Sequence, residues 1–130
     1  MHLKIITHEK VVFDEEVDEI YTVTVDGEIG ILTKHVPIMS ALDVGVTKAV
    51  KDGEAKYFTT MGGVLQFKDE EALILTPTAE SGNEIDTARA NEALKRAKVR
   101  LAENNAEIDV KRAELALARA LARLKASMNN

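Results

Sequence analysis

Gly82-Asn83-Glu84-Ile85-Asp86-Thr87-Ala88-Arg89-Ala90 is where the chain changes character. All seven glycines, both prolines and all five aromatic residues lie at or before Gly82. The residues that punctuate short strands therefore belong to the first part, and none of them interrupts the last third. Charge divides at the same place. Residues 1–85 carry seven lysines, no arginine and 16 acidic groups, whereas residues 86–130 carry 10 basic and six acidic groups. The two parts sum to −9 and +4 within an overall −5.

Beyond the boundary, Asp86 has the side chain of a helix N-cap, and Ala90, Ala93, Leu94, Ala97 and Leu101 follow at spacings of three and four. Asn104-Asn105 interrupts this run. A second helix is predicted from near Ala106, with Val110, Ala113, Leu117, Leu121, Leu124 and Met128 on one stripe. Two helices joined by a tight polar turn make an antiparallel hairpin. Twelve of the 45 residues from Asp86 onward are alanine, which favours helix but buries little area, so weak docking of the hairpin on the first part is expected. Straightened at Asn104-Asn105, the pair would reach roughly 65 Å, against about 30 Å when folded.

Before the boundary, apolar runs and turn signals recur about every ten residues, as in an all-β sandwich or barrel. Strands are predicted over residues 3–7, 11–13, 17–25, 29–32, 44–50, 55–61, 64–67 and 72–76. The third shows the pattern most clearly, with Tyr21, Val23 and Val25 on one face and Ile20, Thr22 and Thr24 on the other. Asp26-Gly27, Asp52-Gly53 and Gly62-Gly63 are read as turns. The acidic run Asp14-Glu15-Glu16-Val17-Asp18-Glu19 lacks the glycine and ligand spacing of a calcium loop and is read as a solvated turn shielding a strand edge. The fold class is therefore α+β in two parts: an N-terminal all-β sandwich over residues 1–84, then a C-terminal antiparallel two-helix hairpin over residues 85–130.

Several function classes are disfavoured. The absence of cysteine excludes disulfides, thiolate metal sites and thiol catalysis. An acidic chain whose basic surface is confined to its tail is a poor nucleic-acid binder. The first eight residues, Met1 to His8, lack a signal-peptide core and no run is long enough to span a bilayer, so a cytosolic, non-spanning protein is expected. His2, His8 and His35 have no acidic partner at catalytic sequence spacing. No His-Glu-x-x-His, nucleophile elbow or phosphate loop occurs, so neither an enzyme nor a metal site is expected.

All six arginines lie on the predicted hairpin: Arg89, Arg96 and Arg100, then Arg112, Arg119 and Arg123. Spacings of four and seven place each set along one side of its helix. Converging guanidinium groups bind phosphate or carboxylate in fork geometry. The ordinary alternative is a solvated face with Glu92, Glu103, Glu107 and Glu114 as ion partners. On pattern alone, a stand-alone nucleotide sensor or an adaptor with an arginine-rich hairpin also remains open.

Three stretches together resemble the epsilon subunit of the F-type ATP synthases, over nearly the whole chain. They are Gly27-Glu28-Ile29-Gly30-Ile31-Leu32-Thr33-Lys34-His35-Val36-Pro37, Gly62-Gly63-Val64-Leu65, and Ile85 to Ala90 together with Arg112 to Ala120. Thr33 departs from the proline of many members, which changes local loop stiffness only. The resemblance implies a non-catalytic rotor subunit of the central stalk, peripheral on the cytoplasmic face of the bacterial plasma membrane. Its implied partners are gamma, the membrane c-ring, and the alpha and beta subunits of the catalytic head. Glu28, Gly30 and His35 correspond to contacts with the ring and gamma, and Arg112, Arg119 and Arg123 to contacts of an extended, inhibitory hairpin with an acidic region of beta. No cofactor is required. ATP is implied as a regulatory ligand that holds the hairpin down, at Glu80, Ile85, Asp86, Arg89, Ala90, Arg96, Arg119 and Arg123.

Overall fold

Two long strands organise the β domain of this computed structural model, which describes residues 1–103 and 107–128, with the backbone alone over 107–109. The strands in chain order are β1 (His2–Ile6), β2 (Val11–Glu16), β3 (Glu19–Thr24), β4 (Gly27–Leu32), β5 (Ile38–Lys51), β6 (Glu54–Lys68), β7 (Glu71–Leu75) and β8 (Ala79–Ser81). A 3-10 turn (Gly82–Glu84) leads to helices α1 (Thr87–Glu103) and α2 (Glu107–Met128). The turn expected at Asn104-Asn105 and the helix start expected near Ala106 lie outside the described residues.

β5 and β6 pair antiparallel from Ile38↔Phe67 to Lys51↔Glu54. Asp52 and Gly53, both at positive φ (51° and 79°), close this hairpin, as their turn-forming residue types require. Gly62-Gly63, by contrast, is not a turn. It lies inside one continuous 15-residue strand, which replaces the two strands expected over 55–61 and 64–67.

Both glycines have positive φ (82° and 108°); before them Phe58, Thr59, Thr60 and Met61 are buried without alternation, and after them burial alternates, with Leu65 and Phe67 inside. β5 changes phase opposite them, from Leu42 to Thr47 and Ala49. The paired strands thus turn a corner between two layers. One layer is completed by β2, β1 and β7, with β7 pairing β6 only over Val64–Lys68; the other is completed by β3, β4 and β8, with β8 pairing Phe58–Thr60. The core between the layers is built from Leu3, Ile5, Phe13, Ile20, Ile31, Phe58, Leu65, Phe67 and Ile74.

The acidic run forms the end of β2, the two-residue connection Val17-Asp18 and the start of β3 at Glu19, so only its middle is the expected turn. Asp14, Glu15 and Glu16 are strand residues on a strand at the end of the sheet path, and charge on such a strand discourages pairing with another chain. His2, on the neighbouring β1, hydrogen-bonds Asp14 and Glu16, the latter at 2.9 Å. Sequence distance hides these acidic partners, which cross-strand pairing supplies. The Asp14 carboxylate, and after it Glu16, raise the His2 imidazole above its ordinary 6.5. The same hydrogen bond to His2 holds Glu16 below its ordinary 4.5.

The helices contain an arrangement that the single predicted stripe does not anticipate. Ala113 and Ala120 of α2 are buried, and so are Ala122 and Ala126. At about 100° per residue, Ala122 lies half a turn of rotation away from Ala113. α2 is therefore covered on two opposite sides, by α1 and by β5, β6 and the 3-10 turn. Leu121 and Met128, expected on the buried stripe, are 49% and 82% exposed on its flank. The hairpin is docked, through methyl groups worth about 0.8 kcal/mol each.

A Cβ at Gly63 would lie 2.0 Å from the Leu75 carbonyl oxygen, whereas one at Gly53 meets nothing within 4 Å. Gly63→Ala is thus expected to lower the unfolding free energy by roughly 3 kcal/mol, and Gly53→Ala by about 1–2 kcal/mol, in denaturant titrations. Equal losses would contradict the corner. The His2 clip predicts a pH dependence as well. A raised imidazole pKa stabilises fully below 6.5, and the effect is lost as pH rises through the raised value. A lowered Glu16 pKa stabilises above 4.5 and is lost on acidification. His2→Ala should therefore cost more stability near pH 5.5 than near pH 8, measured as the difference in denaturation midpoint from wild type.

Candidate functional site

The link between sheet and hairpin builds a cleft. β8 carries Glu80, whose amide donates to the Thr59 hydroxyl at 3.0 Å and so fixes this short strand on β6. The 3-10 turn follows, and Ile85 returns its amide toward the Gly82 carbonyl at 3.4 Å. Asp86 then caps α1: its Oδ1 accepts from the Arg89 amide at 3.1 Å, and its carbonyl from the Ala90 amide at 3.0 Å. This is the N-cap expected from the sequence.

From α2, on the flank between its two covered sides, Arg123 Nε donates to Glu80 Oε1 at 2.9 Å. Sheet, linker and both helices thereby border an open cleft of about 390 Å³, within the range of small-molecule sites. Seven of the eight residues implied for ATP line it: Glu80, Ile85, Asp86, Arg89, Ala90, Arg96 and Arg123. Arg119 does not; it is exposed one turn before Arg123. Two further lining residues were not anticipated, Glu92 and Ala93. Their spacing of three and four from Arg89 was a signal that could have found them.

The side chains of Arg89, Arg96 and Glu92 make no ion pair or hydrogen bond with other described residues. Arg89, Glu92 and Arg96 are exposed, as on a solvated face, but Glu92 is not ion-paired with either helix neighbour. Two guanidinium groups without partners, and a third held by one carboxylate, face a space large enough for a polyanion. Among the described residues no group of three or more His, Asp or Glu is placed to hold a metal ion.

The residues implied as partner contacts are distributed differently. Glu28 and Gly30 lie on β4, the strand at one end of the sheet path, and His35 lies in the loop that follows. A Cβ on Gly30 would come within 2.9 Å of the Tyr21 ring, so glycine lets the ring lie flat on the strand. The His35 ring meets Phe67 edge-on, with centroids 5.9 Å apart, and its Nδ1 lies 2.6 Å from the Val36 carbonyl oxygen. Arg112 and Arg119 are exposed on α2.

A surface missed by sequence reading crosses the outer layer. Val11, Ile6, Leu75, Val64 and Ala41 are successive register partners from β2 to β5, and Val11, Leu75, Val64 and Ala41 are exposed. It is invisible in any one strand because each contributes a single residue. No helix among the described residues is long and apolar enough to cross a membrane.

Comparison with known proteins covers both parts. Residues 1–82 match the family described as the beta-sandwich domain of the ATP synthase delta/epsilon chain, and residues 83–128 match the long alpha-helix domain of the same chain. The ATP synthase epsilon chain of Carboxydothermus hydrogenoformans is 45% identical over 100 residues, covering 77% of this chain and 75% of its own length. That of Priestia megaterium is 39% identical over 101 residues, covering 78% and 75%. A chain in the mitochondrial ATP synthase of Euglena gracilis has the same fold, with a TM-score of 0.83 and 24% identity over 97% of this chain and 79% of that one.

Proposed function

The chain belongs to the ATP synthase delta/epsilon family, and from that membership we propose that it is a non-catalytic central-stalk subunit whose hairpin senses ATP and regulates hydrolysis. The observation that carries the regulatory part is the convergence of Arg89, Arg96 and Arg123 on one cleft that exists only while α2 is docked. In this reading, triphosphate is held by Arg89 and Arg123, and the base lies along Glu80 to Asp86. Binding closes α1, α2 and β8 around the nucleotide and so favours the docked hairpin. Ligand at 100 times its dissociation constant shifts that equilibrium by about 2.7 kcal/mol if it binds the docked form alone.

When ATP is scarce the hairpin extends, and Arg112, Arg119 and Arg123 meet an acidic surface of the beta subunit beside alpha, which stops hydrolytic rotation. The apolar row from Val11 to Ala41 is assigned to gamma, and Glu28, Gly30 and His35 to the gamma and c-ring contacts. The subunit sits peripherally on the cytoplasmic face of the bacterial plasma membrane. A stand-alone sensor would leave the apolar row in water, and a contiguous patch of that kind favours a protein partner.

Equilibrium dialysis of the isolated chain should show saturable ATP binding at or below millimolar concentration, weakened about tenfold or more by Arg89→Ala and by Arg123→Ala. No binding, or binding indifferent to both changes, rejects the nucleotide site. Reconstitution with the catalytic head tests the rest. Deletion of residues 86–130 should raise ATP hydrolysis at low ATP while binding to gamma persists; unchanged hydrolysis removes the inhibitory role, and absent gamma binding removes the stalk assignment.

A further inference from the structure

The cleft contains as many carboxylates as guanidinium groups: Glu80, Asp86 and Glu92 face Arg89, Arg96 and Arg123. A formally neutral site is an unexpected receptor for a bare triphosphate, which brings concentrated negative charge. Two of the carboxylates have structural partners. Glu80 accepts from Arg123 at 2.9 Å, and Asp86 accepts from the Arg89 amide at 3.1 Å as the cap of α1.

Glu92 has no such partner among the described residues. It is exposed, three residues after Arg89 and four before Arg96. That spacing places it beside both guanidinium groups on the same side of α1, about 60° of rotation from Arg89 and so toward the outer rim of the cleft. Phosphate oxygens gripped by Arg89 and Arg96 would lie next to its carboxylate. Without a cation that juxtaposition is repulsive. With magnesium between them it becomes a binding contact, because magnesium is commonly held by one or two carboxylates plus the phosphates, and it keeps several waters that an open rim can accommodate.

We propose that Glu92 makes this cleft selective for a nucleotide carrying its divalent cation, the carboxylate and the phosphates holding the ion together. The proposal rests on the nucleotide reading of the same cleft. It departs from a resident metal site, since the described side chains alone provide no group of three ligands. The cation enters with the phosphates or not at all. Glu92 is then a specificity residue: it penalises metal-free triphosphate and rewards the complex.

The test compares ATP affinity of the full chain by calorimetry with excess magnesium and with EDTA, for wild type and Glu92→Gln. Wild type should bind the magnesium complex about tenfold more tightly than metal-free ATP, and Glu92→Gln should reduce that ratio to about twofold or less, chiefly by tightening metal-free binding. Manganese used as a paramagnetic probe should bind wild type only in the presence of ATP, and its water-proton relaxation enhancement should fall in Glu92→Gln. An unchanged affinity ratio in the variant, or a wild type indifferent to magnesium, overturns the role of Glu92 while leaving nucleotide binding in place. Failure of wild type to bind ATP in either condition overturns both readings.

Discussion

The fully buried side chains of helix α2 are single methyl groups on two opposite sides: Ala113 and Ala120 on one, where Leu117 and Leu124 are half-buried beside them, and Ala122 and Ala126 on the other. Alanine lets α1 and the sheet approach the same helix closely, and it supplies little hydrophobic free energy in return. Larger residues at Ala122 and Ala126 would bury more area against the sheet but could not fit the same close spacing. The docked arrangement therefore stands on small contributions. The Arg123–Glu80 pair is among them, and a partly exposed ion pair of this kind contributes about 0–1 kcal/mol.

That economy of contact gives the cleft its meaning. Its walls come from β8, the linker to α1, α1 itself and α2, so no single element contains the site. In the proposed cycle, docking assembles it and undocking dismantles it. A ligand that recognises the assembled form must shift the population toward docking, by linkage, whatever its detailed pose. The Arg123–Glu80 pair spans the seam that opens in the proposed cycle. Arg123 belongs to α2 and Glu80 to the sheet, so an anion that draws on Arg123 acts directly on the contact between the two parts.

Much of the architecture was legible because the two parts obey different periodicities. Loss of glycine, proline and aromatic residues after Gly82 marked the helical segment, and Asp86 caps α1 as its side chain requires. Gly62-Gly63 misled because a positive-φ glycine pair reads alike in a hairpin turn and in a corner within a strand. Only the Leu75 carbonyl, close against Gly63 in space, distinguishes them. β8 is three residues long and has no period to detect. The second covered side of α2 escaped notice because alanine carries almost no hydropathy signal, while Leu121 carries a strong one and is half exposed. Within the cleft, the residues implied by family likeness gather around one space except Arg119, whereas Glu92 was read as a helix partner. Its place on the rim depends on how α1 rotates against α2, which sequence spacing does not specify.

The central claim is that assembly of the cleft and docking of the hairpin are one equilibrium. The chain has no cysteine, so a pair introduced at exposed Met128 on α2 and exposed His8 on the sandwich can be labelled specifically. Energy transfer between these labels, followed through an ATP titration of the isolated chain, is the most direct measurement. The account predicts a saturable shift to the short-distance population with the midpoint of ATP binding, and its loss in Arg89→Ala. ATP binding that saturates with no change in that population would contradict it.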